Sequence, residues 1–215
     1  MNEKYLKLNP EKQVKILRAI CEEFTEHSYE DASTNKIAPK AGISKGTLFN
    51  YFGCKSSMYQ YALGHVLDYF KKYAIDKFET SDFIERCRLL AEIDMKIYQN
   101  APYMLNFFAK IYATDKSSVP ADITEKVSIL LNDQLEILYA GVDYALFRSD
   151  IDATTLMKMI RYTLDGYIKE VLDKIKIVGF DEHTFEAFTQ DYNEFLKEMK
   201  KIYYRKEVLA DVEKL

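Results

Sequence analysis

The chain has 215 residues, 48% of them hydrophobic, with 30 Lys and Arg against 34 Asp and Glu and a formal net charge of −4. That length holds one small and one medium domain around a packed core, and the acidic balance excludes a protein that is polybasic throughout. Cys21, Cys54 and Cys87 are odd in number and contain no C-x-x-C pair, which argues against a disulfide framework and a structural zinc site. No stretch approaches 18 uncharged apolar residues, and Met1 to Lys4 lead into no apolar signal region, so the expectation is a soluble cytoplasmic protein without membrane contact.

Seven Gly and four Pro punctuate a chain whose apolar spacing is helical nearly throughout, which predicts an all-α fold of nine helices. The first helix is predicted over Pro10 to His27, burying Val14, Leu17, Ile20, Cys21 and Phe24 at three- and four-residue steps. Residues 33 to 52 then read as two short helices joined by a tight turn, a helix-turn-helix. Ser33 can cap the first of the pair and Ile37 and Ala38 give it an apolar face. Gly42 suits a left-handed turn position, and Ser44 caps a second helix whose Leu48 points inward. Lys45, Thr47, Asn50 and Tyr51 are expected to face outward.

From Ala32 to Leu67 there is no Asp or Glu, while Lys36, Lys40, Lys45 and Lys55 fall inside the stretch. Residues 1 to 55 hold nine Lys and Arg against seven Asp and Glu, leaving 21 against 27 for the rest. A surface cleared of anions and carrying lysines suits a phosphate backbone, so the pattern points to one DNA-reading head on an acidic body.

After Gly53 a linker helix is predicted over Lys55 to Glu79, with a stripe of Met58, Tyr61, Ala62, Val66, Tyr69, Phe70 and Tyr73. Further helices fit Asp82 to Gln99, Pro102 to Ala113, Asp122 to Phe147, Ala153 to Val178 and Glu182 to about Lys206, with a mobile loop at Lys116 to Pro120 and frayed last residues.

The run Ile37-Ala38-x-x-Ala41-Gly42-Ile43-Ser44-Lys45-Gly46-Thr47-Leu48-Phe49-x-Tyr51-Phe52-x-x-Lys55, preceded by Ile16, Leu17, Ala19 and Phe24, resembles the TetR family of bacterial transcriptional regulators. The match is strong over residues 10 to 60 and architectural beyond. It implies a TetR-like fold with a three-helix DNA-binding head at 1–54 and a ligand-binding and dimerisation body at 55–215. It further implies a homodimer on a palindromic operator, released when a small-molecule effector occupies the body. Two positions depart from the pattern. Pro39 lies inside the first motif helix, where a missing amide and a ring clash distort or shorten it. Lys36 stands where an acid would complete a capping box with Ser33.

The recognition helix can be read residue by residue. Lys45 can meet guanine O6 or N7, Asn50 adenine N6 and N7, and the Thr47 methyl a thymine methyl. Gly46 allows close backbone approach, Ser44 and Tyr51 offer hydroxyls to phosphates, Lys36 and Lys55 add cations, and Phe49 gives apolar contact. Ser33 completes the DNA-binding set.

In the body, the family likeness places an effector cavity against the linker helix, with Phe70, Tyr73, Asp94, Tyr98, Tyr103, Phe107 and Phe108 as lining candidates. Aromatic walls and one carboxylate suit an apolar or cationic molecule. The last two helices carry surplus apolar faces, and Leu156, Ile160, Leu164, Tyr167, Phe188, Tyr192, Phe195 and Met199 are the expected dimer interface. Gly166 would permit a close helix crossing there. His27, His65 and His183 are scattered and no hydrolase or phosphate-loop motif occurs, so neither enzymatic activity, cofactor nor metal is expected. The alternative is a helical protein-interaction module whose helix-turn-helix does not bind DNA, and the acid-free stretch speaks against it.

Overall fold

The structure, a computed structural model, describes residues 3–75, 79–114, 118–178 and 181–212. Among these residues the only regular elements are helices: α1 (Glu3–Leu6), α2 (Pro10–Glu26), α3 (Thr34–Lys40), α4 (Lys45–Phe52), α5 (Lys55–Ile75), α6 (Phe83–Asn100), α7 (Pro102–Ala113), α8 (Ala121–Tyr139), α9 (Ala153–Val178), α10 (Glu182–Tyr203) and α11 (Lys206–Val212), with a 3-10 turn at Tyr144–Leu146. The all-α expectation holds; the expected count of nine is exceeded by α1 and α11. None of these helices is long and apolar enough to cross a membrane.

Two of the predicted boundaries fail for identifiable reasons. The helix expected to run to Phe147 stops at Tyr139, because Gly141 takes a left-handed φ of 69°, open to glycine and rarely adopted by other residues. The final helix stops at Tyr203, where Tyr204 leaves the helix to make an isolated antiparallel bridge with Phe147, and α11 follows; the last residues, expected to fray, lie outside the described residues. The loop expected at Lys116 to Pro120 lies partly outside the described residues.

The chain forms two compact units, Met1–Lys72 with Asn100–Leu135, and Tyr73–Gln99 with Glu136–Leu215. In the first unit α2 packs on α3 and on α7. Its buried stripe is Ile16, Leu17, Ala19, Ile20, Cys21 and Phe24, whereas Val14, expected inside, is 48% exposed. Phe24 meets Tyr59 edge-on at 4.9 Å and Tyr59 meets Phe107 at 5.3 Å. The short α1 contributes Tyr5, fully buried, whose ring lies 5.0 Å from Phe52 and whose hydroxyl bonds that of Tyr61 at 2.7 Å. A four-residue helix is not stable alone, so this aromatic cluster is what holds α1 to α4.

In the second unit Phe83, Ile84, Cys87, Phe147, Leu156, Ile160, Leu164, Leu196, Met199 and Tyr203 form one core. Arg86, buried among them, donates from Nη1 to the carbonyls of Leu138 at 2.9 Å and Ala140 at 2.6 Å, satisfying carbonyls that the end of α8 leaves open. Tyr204 donates its hydroxyl to Asp82, the residue before α6, and Lys200 pairs with the other oxygen of that carboxylate at 2.7 Å.

Candidate nucleic-acid interface

The helix-turn-helix is built as α3, a turn through Gly42 at φ 68°, and α4. Pro39 sits in the last turn of α3, which ends one residue later. Ser44 has extended backbone angles and its hydroxyl accepts the Thr47 amide at 3.0 Å, the N-cap that the sequence predicts. Leu48 is fully buried, which fixes the opposite side of α4 outward. Lys45, Gly46 and Asn50 are exposed, and Thr47 and Phe49 are half-buried. The Lys45 ammonium lies 5.8 Å from the Phe49 ring centroid. A Cβ on Gly46 would meet only the Ser44 Oγ, at 3.9 Å, so the packing of the chain itself does not require glycine there.

Three expectations need correction. Tyr51, expected to face outward, is only 9% exposed, its ring edge-on to Tyr5 at 5.7 Å. Lys55 donates to the Glu30 carbonyl at 2.9 Å and lies 5.0 Å from the Tyr29 ring centroid, so its cation is engaged within the chain. Ser33 stands at the N-cap of α3 but its side chain makes no capping bond. The Ser33 amide instead donates to Glu23 Oε1 at 2.9 Å. Exposed Lys36 has its Nζ 3.2 Å from His27 Nε2.

Glu23 is the residue that sequence reasoning passed over. It is fully buried, and its Oε2 accepts no hydrogen bond. The signal was its spacing: it falls three residues after Ile20 and seven after Ile16, on the buried stripe of α2. Glu23, Glu26 and His27 bring one potential metal-ligand atom each within 4.8 Å of one another. The ammonium of Lys40, however, already lies 3.1 Å from Glu26 Oε2 and 4.0 Å from Glu23 Oε2, so the cluster holds a cation of its own.

The model of bacterial regulatory proteins of the tetR family matches residues 16–62, from within α2 through α3 and α4 into α5. Over these residues the chain carries the DNA-binding domain of the TetR family. Solved members share the fold along nearly the whole chain. A TetR family transcriptional regulator from Chloroflexus aurantiacus is 18% identical, with 95% of this chain and 99% of that one covered and a TM-score of 0.65. The fatty acid degradation regulator FadR from Bacillus halodurans is 22% identical, with coverages of 88% and 96% and a TM-score of 0.62. FadR from Bacillus subtilis, solved in complex with stearoyl-CoA, is 18% identical, with coverages of 85% and 96% and a TM-score of 0.58. No curated protein sequence matches the chain. The matched domain supports a DNA-binding transcriptional regulator with a helix-turn-helix.

The expected effector-lining residues are divided between the two units. Phe70 and Phe108 pack with centroids 4.9 Å apart in the first unit. Phe107, also there, is fully buried against Phe24 and Tyr59 and serves as core. Tyr103 lies beneath Arg18, whose guanidinium carbon is 5.9 Å from the ring centroid. Asp94 and Tyr98 belong to the second unit, where Tyr98 stacks on Phe185 at 5.0 Å. The Tyr73 side chain lies outside the described residues. Asp94 is half-buried, and desolvation pushes its carboxyl up to about 7. Burial, and after it the neighbouring Cys87 and Asp94, push the Tyr192 hydroxyl well above its usual range. A small cavity in the first unit is lined by Tyr59, Ile111, Thr114, Val119, Thr124 and Val127, none of them in the expected set.

The expected dimer face is also corrected. Leu156, Ile160, Leu164 and Met199 are buried in the core of the second unit and cannot present themselves to another chain. Tyr167 and Phe195 stack at 4.4 Å, Tyr192 lies 5.2 Å from Tyr167, and Phe188 is half-buried. Among the described residues, the large apolar side chains that α9 and α10 expose are Met159 at 44%, Tyr162 at 57% and Ile202 at 57%. A Cβ on Gly166 would meet nothing within 4 Å, so no helix crossing inside the chain requires that glycine.

Proposed function

We propose that the protein is a ligand-responsive repressor that binds a palindromic operator as a homodimer and is not an enzyme. Residues 1–54 form its DNA-binding head and 55–215 its ligand-binding and dimerisation body. The observation that carries the reading is the outward face of α4. Exposed Lys45, Gly46 and Asn50 stand beside Thr47 in a stretch of 36 residues, 32 to 67, without one acid. Lys45 and Asn50 read base edges in the major groove, Thr47 turns its methyl to a thymine, and Phe49 supports the Lys45 stem. The missing side chain at Gly46 makes room for the duplex, since the chain does not need it. Ser44, Lys36 and the helix ends contact phosphates, with Ser33 and Tyr51 placing them and Lys55 fixing the turn before α5.

Two recognition helices must meet one face of DNA about one helical turn apart, which requires a twofold dimer. Met159, Tyr162, the open Gly166 and Ile202 offer the apolar surface for it, with Tyr167, Phe188, Tyr192 and Phe195 behind. An operator is read in the cytoplasm, where the regulator works. The effector is an apolar or cationic small molecule held in the body near Asp94 and Tyr98. The stearoyl-CoA complex of Bacillus subtilis FadR supports an apolar chain as the general class, and the half-buried Asp94 supports a cation. Effector binding that favours the DNA-free state by about 1–3 kcal/mol weakens the operator roughly 5- to 150-fold.

Selection of bound fragments from a random duplex pool tests the reading. A palindromic consensus supports it; a pool that stays random after repeated rounds overturns it.

A further inference from the structure

Ser33 is the N-cap of α3, yet its hydroxyl caps nothing. In a capping box the third residue of the helix turns its carboxylate back onto the N-cap amide. That third residue here is Lys36, whose ammonium can only donate. The Ser33 amide nevertheless has an acceptor: Glu23 Oε1, 2.9 Å away on α2. The other oxygen of this buried carboxylate lies 4.0 Å from the ammonium of Lys40, the last residue of α3. One carboxylate inside the head therefore holds the N-cap amide just before α3 and faces the cation at the end of that helix. The helix it brackets has seven residues and contains Pro39, too short to be stable by itself.

We propose that Glu23 is the positioning residue of the helix-turn-helix, supplying from the core the carboxylate that a capping box would place at position 36. Moving that acid inside leaves the exposed position 36 to a lysine. A glutamate at 36 would cap equally well but would set an anion in the acid-free stretch and repel phosphates. The second half of this inference rests on the DNA-binding reading, and the first half does not.

Four full-length proteins separate the two: the wild type, Glu23→Met, Lys36→Glu and the double variant. Methionine fills the space of the glutamate without an acceptor, so Glu23→Met should lose hydrogen-exchange protection at the Ser33 amide and melt about 2–4 °C lower. Lys36→Glu alone should keep both properties, and the double variant should regain them, because Glu at 36 restores the box. On random duplex DNA both proteins carrying Lys36→Glu should bind more weakly, with a plot of log affinity against log salt shallower by about one unit. Retained Ser33 protection in Glu23→Met, or no recovery in the double variant, would overturn the capping role whatever the DNA data say. If Glu23→Met does not fold, the double variant decides: a folded protein supports the role and an unfolded one overturns it. An unchanged salt slope in Lys36→Glu overturns the phosphate contact, whereas a wild type that binds no duplex overturns the DNA-binding reading and leaves the capping result standing.

Discussion

The Ser44 hydroxyl accepts the Thr47 amide at 3.0 Å and shares a second hydrogen bond with the Thr47 hydroxyl at 2.8 Å. The polar end of Thr47 is thereby turned toward the start of α4, which leaves its methyl as the group available to a base. Thr47→Val should therefore preserve operator preference at the position it reads, while Thr47→Ser should relax it. Competition binding of the two variants against operators altered at single positions checks this.

Ser44 itself is a stability element. Ser44→Ala leaves the Thr47 amide without its cap and should cost about 1 kcal/mol of unfolding free energy, seen as a lower urea midpoint at unchanged slope. An unchanged midpoint would mean that water replaces the cap without cost.

The helix-turn-helix was legible in sequence because each of its signals is local: the Ser44 cap, the Gly42 turn and the buried Ile37 and Leu48 all act within a few residues. Tyr51 and Lys55 were misread because their partners are far away in the chain. Tyr51 is covered by Tyr5 of α1 and Lys55 is held by the carbonyl of Glu30, and a helical period says nothing about either. The same limit explains α9 and α10. Leu156, Ile160, Leu164 and Met199 have the spacing of an apolar face, but periodicity cannot tell a face that meets its own core from one that meets a second chain. Gly141 was a visible stop signal that a continuous apolar pattern outweighed.

Assembly should follow the exposed residues rather than the buried ones. Tyr162→Glu should shift the protein to monomer at micromolar concentration with little change in monomer folding. Leu156→Ala should instead destabilise the fold by about 2–5 kcal/mol, as deletion of a buried leucine side chain does. Sedimentation and chemical denaturation distinguish these outcomes. A Tyr162→Glu protein that remains fully dimeric would remove this face from the interface.

Asp94 gives a pH dependence of definite sign. Its carboxyl is raised from 3.8 to about 7 by desolvation, so between these values the folded state binds the proton that the unfolded state has lost. The contribution is fully present below pH 3.8 and is lost as pH rises through about 7. Asp94→Asn should remove that decline and raise stability above pH 7 by about 1–3 kcal/mol, less than the full displacement implies because water reaches part of the group. Urea unfolding at pH 6 and pH 8 measures it. A cationic effector that needs the charged carboxylate should bind more tightly at pH 8 than at pH 6, and Asp94→Asn should abolish the difference while operator affinity without effector stays the same.

The most direct test of the whole account is the binding of wild type and Asn50→Ala to the selected operator and to random duplex under identical salt. Specific reading through α4 predicts that Asn50→Ala loses about 1–3 kcal/mol on the operator, relaxes one position in each half-site and leaves random-sequence affinity unchanged. Equal losses on both duplexes, or no loss on either, would contradict it.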